Sequence, residues 1–127
     1  MELNTNTLIK EFDVADPWIS LICQRKKVIE GRLNKSKFAN LKKGDIIKFF
    51  NNDVNKQCLV KIVRIINYVS FEEYLVQEGL KRTLPGITSL NDGINIYRQF
   101  YSKEQEDEFS ILAIYIKKIN MNDLHIS

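Results

Sequence analysis

The chain has 127 residues, the size of one ordinary domain, and 44% hydrophobic with 28% charged residues is the balance of a folded protein with a core. Net charge is only +3, yet residues 20–65 hold twelve basic and three acidic side chains, whereas the segments on either side are each acidic by three. Such a block favours an anionic partner (RNA, another nucleic acid, or a nucleoside or nucleotide), with a solubilising lysine surface as the plain alternative. No secretory signal and no apolar run of membrane-spanning length is visible, so no membrane association and an intracellular location are expected.

Several chemistries are disfavoured at once. Cys23 and Cys58 stand in apolar segments 35 residues apart with no partner histidine, which reads as two reduced thiols and not as a zinc site. The single histidine, His125, lies in a polar tail, so a histidine-based triad or general base is not expected. The five glycines are scattered and form no phosphate-binding loop. No metal and no cofactor are therefore expected. What remains is lysine, arginine, glutamate, tyrosine and tryptophan, the residues that recognise bases and phosphates.

In chain order, "TLIKEFD" (residues 7–13) predicts a first strand. Asp16 before Pro17 predicts a helix N-terminus, with Trp18, Leu21, Ile22 and Arg25 sharing one helical face. "RKKVIEGRLNKSKF" (25–38) then has the branched and apolar bulk of a strand in Val28, Ile29 and Leu33. Alternation puts Glu30 and Arg32 on one face, and Lys27, of opposite parity, can join them only from a loop or bulge before the strand. The charges are either an exposed ion pair or the floor of a pocket. "LKKGDIIKFF" gives a Lys-Gly-Asp turn into a strand over 45–50, and "NNDVNK" a hairpin-type loop. Residues 57–69 form a long strand.

From Ser70 the period changes. Ser70 with Glu73 predicts a capping box for a helix over "FEEYLVQEGL", and Pro85-Gly86 a break. Leu90, Ile94, Tyr97 and Tyr101 are spaced for a helix over 88–101, Ser102 with Gln105 makes a second capping box, and "FSILAIYIKKI" (109–119) is a buried strand. Some five strands with inserted helices predict an α+β domain whose sheet curves into a small barrel.

"PWISLICQRKKVIEGRL" followed by "LKKGDIIKF" resembles the ASCH domain of the PUA-like superfamily. Lys27, Glu30 and Arg32 stand at the charged positions of its motif, with Gln24 or Arg25 where a glycine is usual. The later "LPG" and "FYSKE" elements are similar to a group of small single-domain members, so the likeness runs from about residue 8 to 119 of one domain spanning 1–127. It implies a PUA-like barrel with flanking helices, a cleft between the two, and recognition of RNA or nucleotides. This resemblance favours the pocket reading, in which Lys27, Glu30 and Arg32 contact ligand. Trp18 and Tyr101, with Lys103, are the further side chains expected at the cleft, and Lys35, Lys37, Lys42 and Lys43 of the basic segment would offer a nucleic-acid face. One branch of the family is an amidohydrolase acting on N4-acetylcytidine. If that activity were carried over, Lys27, Glu30 and Glu78 would be its catalytic set, with Glu30 standing where the branch has threonine. Nuclease activity has also been associated with the family.

Overall fold

The computed structural model describes residues 9–120. Five strands make one mixed sheet: β1 (Lys10–Asp13), β2 (Ile29–Leu33), β3 (Ile46–Asn51), β4 (Lys56–Tyr68) and β5 (Ile111–Ile119), in the order β1-β3-β4-β5-β2. β1 runs parallel to β3, and every other neighbour is antiparallel. The sheet curls into a half-barrel, and among the described residues β1 and β2 are its two edges. The architecture is α+β, as expected from the alternation of short strands and inserted helices.

Each face of the curl buries its own core. Phe12, Ile47, Phe49, Val60, Ile62, Ile114 and Ile116 form one core, to which helix α1 (Trp18–Cys23) adds Ile19 and Ile22. In the other, Ile29, Leu33, Ile111 and Ala113 pack under α2 (Phe71–Glu78), α3 (Leu80–Thr83) and α4 (Leu90–Arg98) through Phe71, Tyr74, Leu75, Leu84 and Tyr97. The alternation in β2 is thus divided between two cores: its odd positions face the helices, and Glu30 and Arg32 face the other way.

Local chemistry explains the boundaries. Asp16 does not cap α1, because its carboxylate accepts from the Ser20 hydroxyl at 2.6 Å and no side chain caps the helix. Ser70 accepts from the Glu73 amide at 3.0 Å, but Glu73 reaches back to the Val69 amide, one residue short of a closed box. Ser102 and Gln105 do close one, at 3.1 and 2.9 Å, and start α5 (Lys103–Phe109). The break at Pro85-Gly86 is preceded by the short α3, which the sequence pattern did not suggest. Gly44 takes φ +95° in the Lys-Gly-Asp turn, where Asp45 accepts from the Lys42 amide.

Candidate functional site

The chain leaves α1 through Arg25, whose positive φ of 62° reverses its direction. The amides of Lys26 and Lys27 then both donate to the Leu21 carbonyl. This fold-back delivers Lys27 to the start of β2 from outside the strand, as its parity requires. Its side chain is only 2% exposed as a residue, and Nζ has three acceptors: the Ile29 carbonyl at 2.7 Å, the Thr83 carbonyl, and Glu30 Oε1 at 3.3 Å. Glu30, also buried, uses its other oxygen to accept from Arg32 Nε at 2.9 Å. Arg32 in turn donates from Nη2 to the Asp13 carbonyl at 2.8 Å, and its guanidinium lies 4.9 Å over the Phe38 ring. The three charges form one chain, Lys27–Glu30–Arg32, laid across the seam between the edge strands β2 and β1.

A cavity of about 100 Å³ opens over this chain. Its polar wall is Lys27, Glu30, Gly31 and Arg32, with Asp13 and the loop after β1; its apolar wall includes Trp18, Tyr97, Phe100 and Tyr101. A space of this volume has room for several water molecules or for one planar ring. Tyr97 and Tyr101 are stacked on Phe71 at centroid distances of 4.5 and 5.7 Å, so the aromatic wall is rigid. Phe100 is 54% exposed at the mouth.

Electrostatics follow from this geometry. Burial alone would raise the Glu30 carboxyl, but the Arg32 and Lys27 cations outweigh it and hold the group below the usual carboxylate range. Burial pulls Lys27 below the ordinary lysine range, with Glu30 working against it. Three acceptors around Nζ match the three donors of an ammonium and leave no free lone pair. Burial raises Tyr101, with Arg32 opposing.

The expected ligand set is only partly brought together. Lys27, Glu30, Arg32, Trp18 and Tyr101 all line the cavity, whereas Lys103 and Glu78 do not. Lys103 is exposed on α5 and pairs with Glu106 at 3.2 Å and Asp107 at 2.8 Å. Glu78 is buried elsewhere, at the end of α2, where it accepts from the hydroxyls of Tyr68 (2.5 Å) and Tyr115 and from Arg82 at 2.9 Å. Of the lysines assigned to a nucleic-acid face, Lys37, Lys42 and Lys43 are exposed and Lys35 lies 4.8 Å over the Phe109 ring. Lys37 belongs to the 3-10 helix Ser36–Asn40, the element whose Phe38 carries Arg32. Phe100 and Gly31 were not singled out from the sequence. Phe100 lies just beyond the end of α4, outside the Leu90, Ile94, Tyr97 and Tyr101 spacing, and its place beside Tyr101 was its one available signal. Among the described residues no group of three or more His, Cys, Asp or Glu is placed to hold a metal. No described helix is long and apolar enough to cross a membrane.

No curated protein shows significant similarity to the chain. Solved structures do. A crystal structure of hypothetical protein PH0355 is 39% identical with a TM-score of 0.80, covering 88% of this chain and all of that one. The solution structure of protein PF0455 from Pyrococcus furiosus is 37% identical with a TM-score of 0.74, covering 89% and 99%. An ASCH domain from Lactobacillus crispatus shares the fold at 19% identity, with a TM-score of 0.60 and coverage of 87% and 79%. The ASCH domain model itself matches residues 13–120, a span that runs from the Asp13 carbonyl held by Arg32 to the end of the last strand. With the charged chain of β2 at its centre and the half-barrel around it, this protein belongs to the ASCH domain family.

Proposed function

We propose that the protein is a binding module for single-stranded RNA or a nucleotide-like ligand, with one base seated in the cavity over Lys27, Glu30 and Arg32. The observation that carries this reading is the pairing of an aromatic wall with a charged, buried floor in one cleft. Every base has a face that stacks on Trp18, Tyr101 or Phe100, and base–aromatic stacking contributes about 1–3 kcal/mol per base. The surrounding basic segment, Lys35, Lys37, Lys42 and Lys43 included, supplies attraction to the phosphate backbone. The family is associated with RNA binding, which agrees with this reading.

A cleft that holds one unstacked base favours single strands. Single-stranded RNA is therefore expected to bind more tightly than a duplex of the same length and charge, measured by fluorescence anisotropy. Equal affinity for both would mean a purely electrostatic surface and would count against the cleft.

The amidohydrolase reading is favoured by one observation, a buried cavity-lining lysine lowered by burial. A lysine base must be neutral, however, and Lys27 has its three donors engaged while Glu78 lies outside the cavity. Incubation with N4-acetylcytidine is expected to release no cytidine. Release that disappears in Lys27→Ala would establish the hydrolase instead.

A further inference from the structure

Among the described residues β2 is an edge strand, and half of its backbone groups have no strand to pair with. Which half can be read from the ladder. The Ile116 amide donates to the Val28 carbonyl and the Asn34 amide to the Ser110 carbonyl, and between these the register pairs Glu30 with Ile114 and Arg32 with Leu112. In an antiparallel ladder bonded pairs alternate with unbonded ones, so the even residues of β2 bond to β5 and the odd residues, Ile29, Gly31 and Leu33, point their N–H and C=O groups outward.

Two of those three outward carbonyls are occupied within the chain. Ile29's accepts from Lys27 Nζ at 2.7 Å, and Leu33's accepts from the Lys35 amide at 2.9 Å. Gly31 lies between them and lines the cavity. A glycine can line a cavity only with backbone atoms. Its identity is fixed from the opposite side, where an added Cβ would stand 2.8 Å from the Tyr74 ring. The floor of the cavity is therefore an open strand edge, one donor beside one acceptor, flanked by the Glu30–Arg32 pair and faced by aromatic rings.

We infer that the Gly31 N–H and C=O read the hydrogen-bonding edge of the bound base, as a neighbouring strand would. This deepens the proposed function and rests on it. The ligand class it names is a planar nitrogen heterocycle carrying an adjacent donor and acceptor, the pattern on the pairing edge of each nucleobase. The Gly31 carbonyl accepts from a ring N–H or exocyclic amine, and the Gly31 amide donates to the neighbouring ring nitrogen or carbonyl oxygen. Such recognition requires a base whose pairing edge is free.

The test uses ¹⁵N-labelled full chain titrated with the four nucleoside 5′-monophosphates. Each is compared with a neutral counterpart whose edge donor is replaced by methyl: 3-methyluridine, 1-methylguanosine, N4,N4-dimethylcytidine or N6,N6-dimethyladenosine monophosphate. For whichever base binds, we expect the methylated form to bind at least tenfold more weakly and the Gly31 amide resonance to move downfield only with the unmodified form. Equal binding of both forms with the Gly31 amide unmoved overturns the edge reading and leaves the stacking cleft standing. Absence of binding by all four, with no resonance of the cavity shifted, overturns the proposed function and the edge reading with it.

Discussion

At the scale of single residues the site is a balance of buried charges. Glu30 lies between two cations, and with its folded-state carboxyl held below its ordinary value of 4.5, its contribution to stability is present above that value and lost as pH falls through the lower folded one. Thermal melts should thus be nearly flat from pH 7 to 5 and decline below about pH 4.5. Glu30→Gln leaves Lys27 and Arg32 facing a neutral amide, and breaking a buried pair from one side costs about 3–5 kcal/mol. A melting temperature at pH 7 equal to the parent's would show that the chain Lys27–Glu30–Arg32 is not the buried network described here. Gly31→Ala probes the other face. The Tyr74 ring is fully enclosed and bonded through its hydroxyl to Tyr97 at 3.1 Å, so it cannot retreat freely. Overpacking of this kind costs about 1–3 kcal/mol, read by chemical denaturation, and a variant as stable as the parent would mean that the ring yields.

At the scale of elements, what was legible in the sequence depended on how local the cause was. The five strands and the helices around Trp18, Phe71 and Leu90 follow from periodicity, and the complete Ser102–Gln105 capping box from four adjacent residues. Asp16 could not be read correctly because its carboxylate had a competing partner one helical turn away in Ser20. The pocket over Glu30 and Arg32 was one of two open readings of an alternating face. The choice depends on β1, α1 and α4 arriving from distant parts of the chain. Glu78 shows the reverse case: its place in a motif suggested proximity to Lys27, whereas Tyr68, Tyr115 and Arg82 hold it in a separate network. Gly31 was invisible because a glycine in a strand does not announce what crosses it. The α5 cap offers a clean check that elements outside the cleft do not set affinity. Ser102→Ala should cost about 1 kcal/mol of stability by thermal melt while RNA affinity stays unchanged. A parallel loss of affinity would tie α5 to the ligand.

At the scale of the whole molecule, the half-barrel leaves one seam between β1 and β2 without strand pairing among the described residues. Closing β1 onto β2 by backbone bonds would bury the strand edge; here a single guanidinium, Arg32 on the Asp13 carbonyl, bridges the gap and leaves room for a ligand beside it. The chain carries its own reporter of that space, since its one tryptophan, Trp18, lines the cavity. The most direct test of the account is a titration of Trp18 fluorescence with single-stranded RNA, in the parent and in Phe100→Ala, at two salt concentrations. Phe100 is largely exposed, so its removal leaves the core intact. The account predicts a saturable change in Trp18 emission, a midpoint that moves to higher RNA concentration with added salt as displaced counterions require, and binding about tenfold weaker in Phe100→Ala. RNA that binds by anisotropy with Trp18 emission unmoved, and equally well to both proteins, would place recognition elsewhere and contradict it.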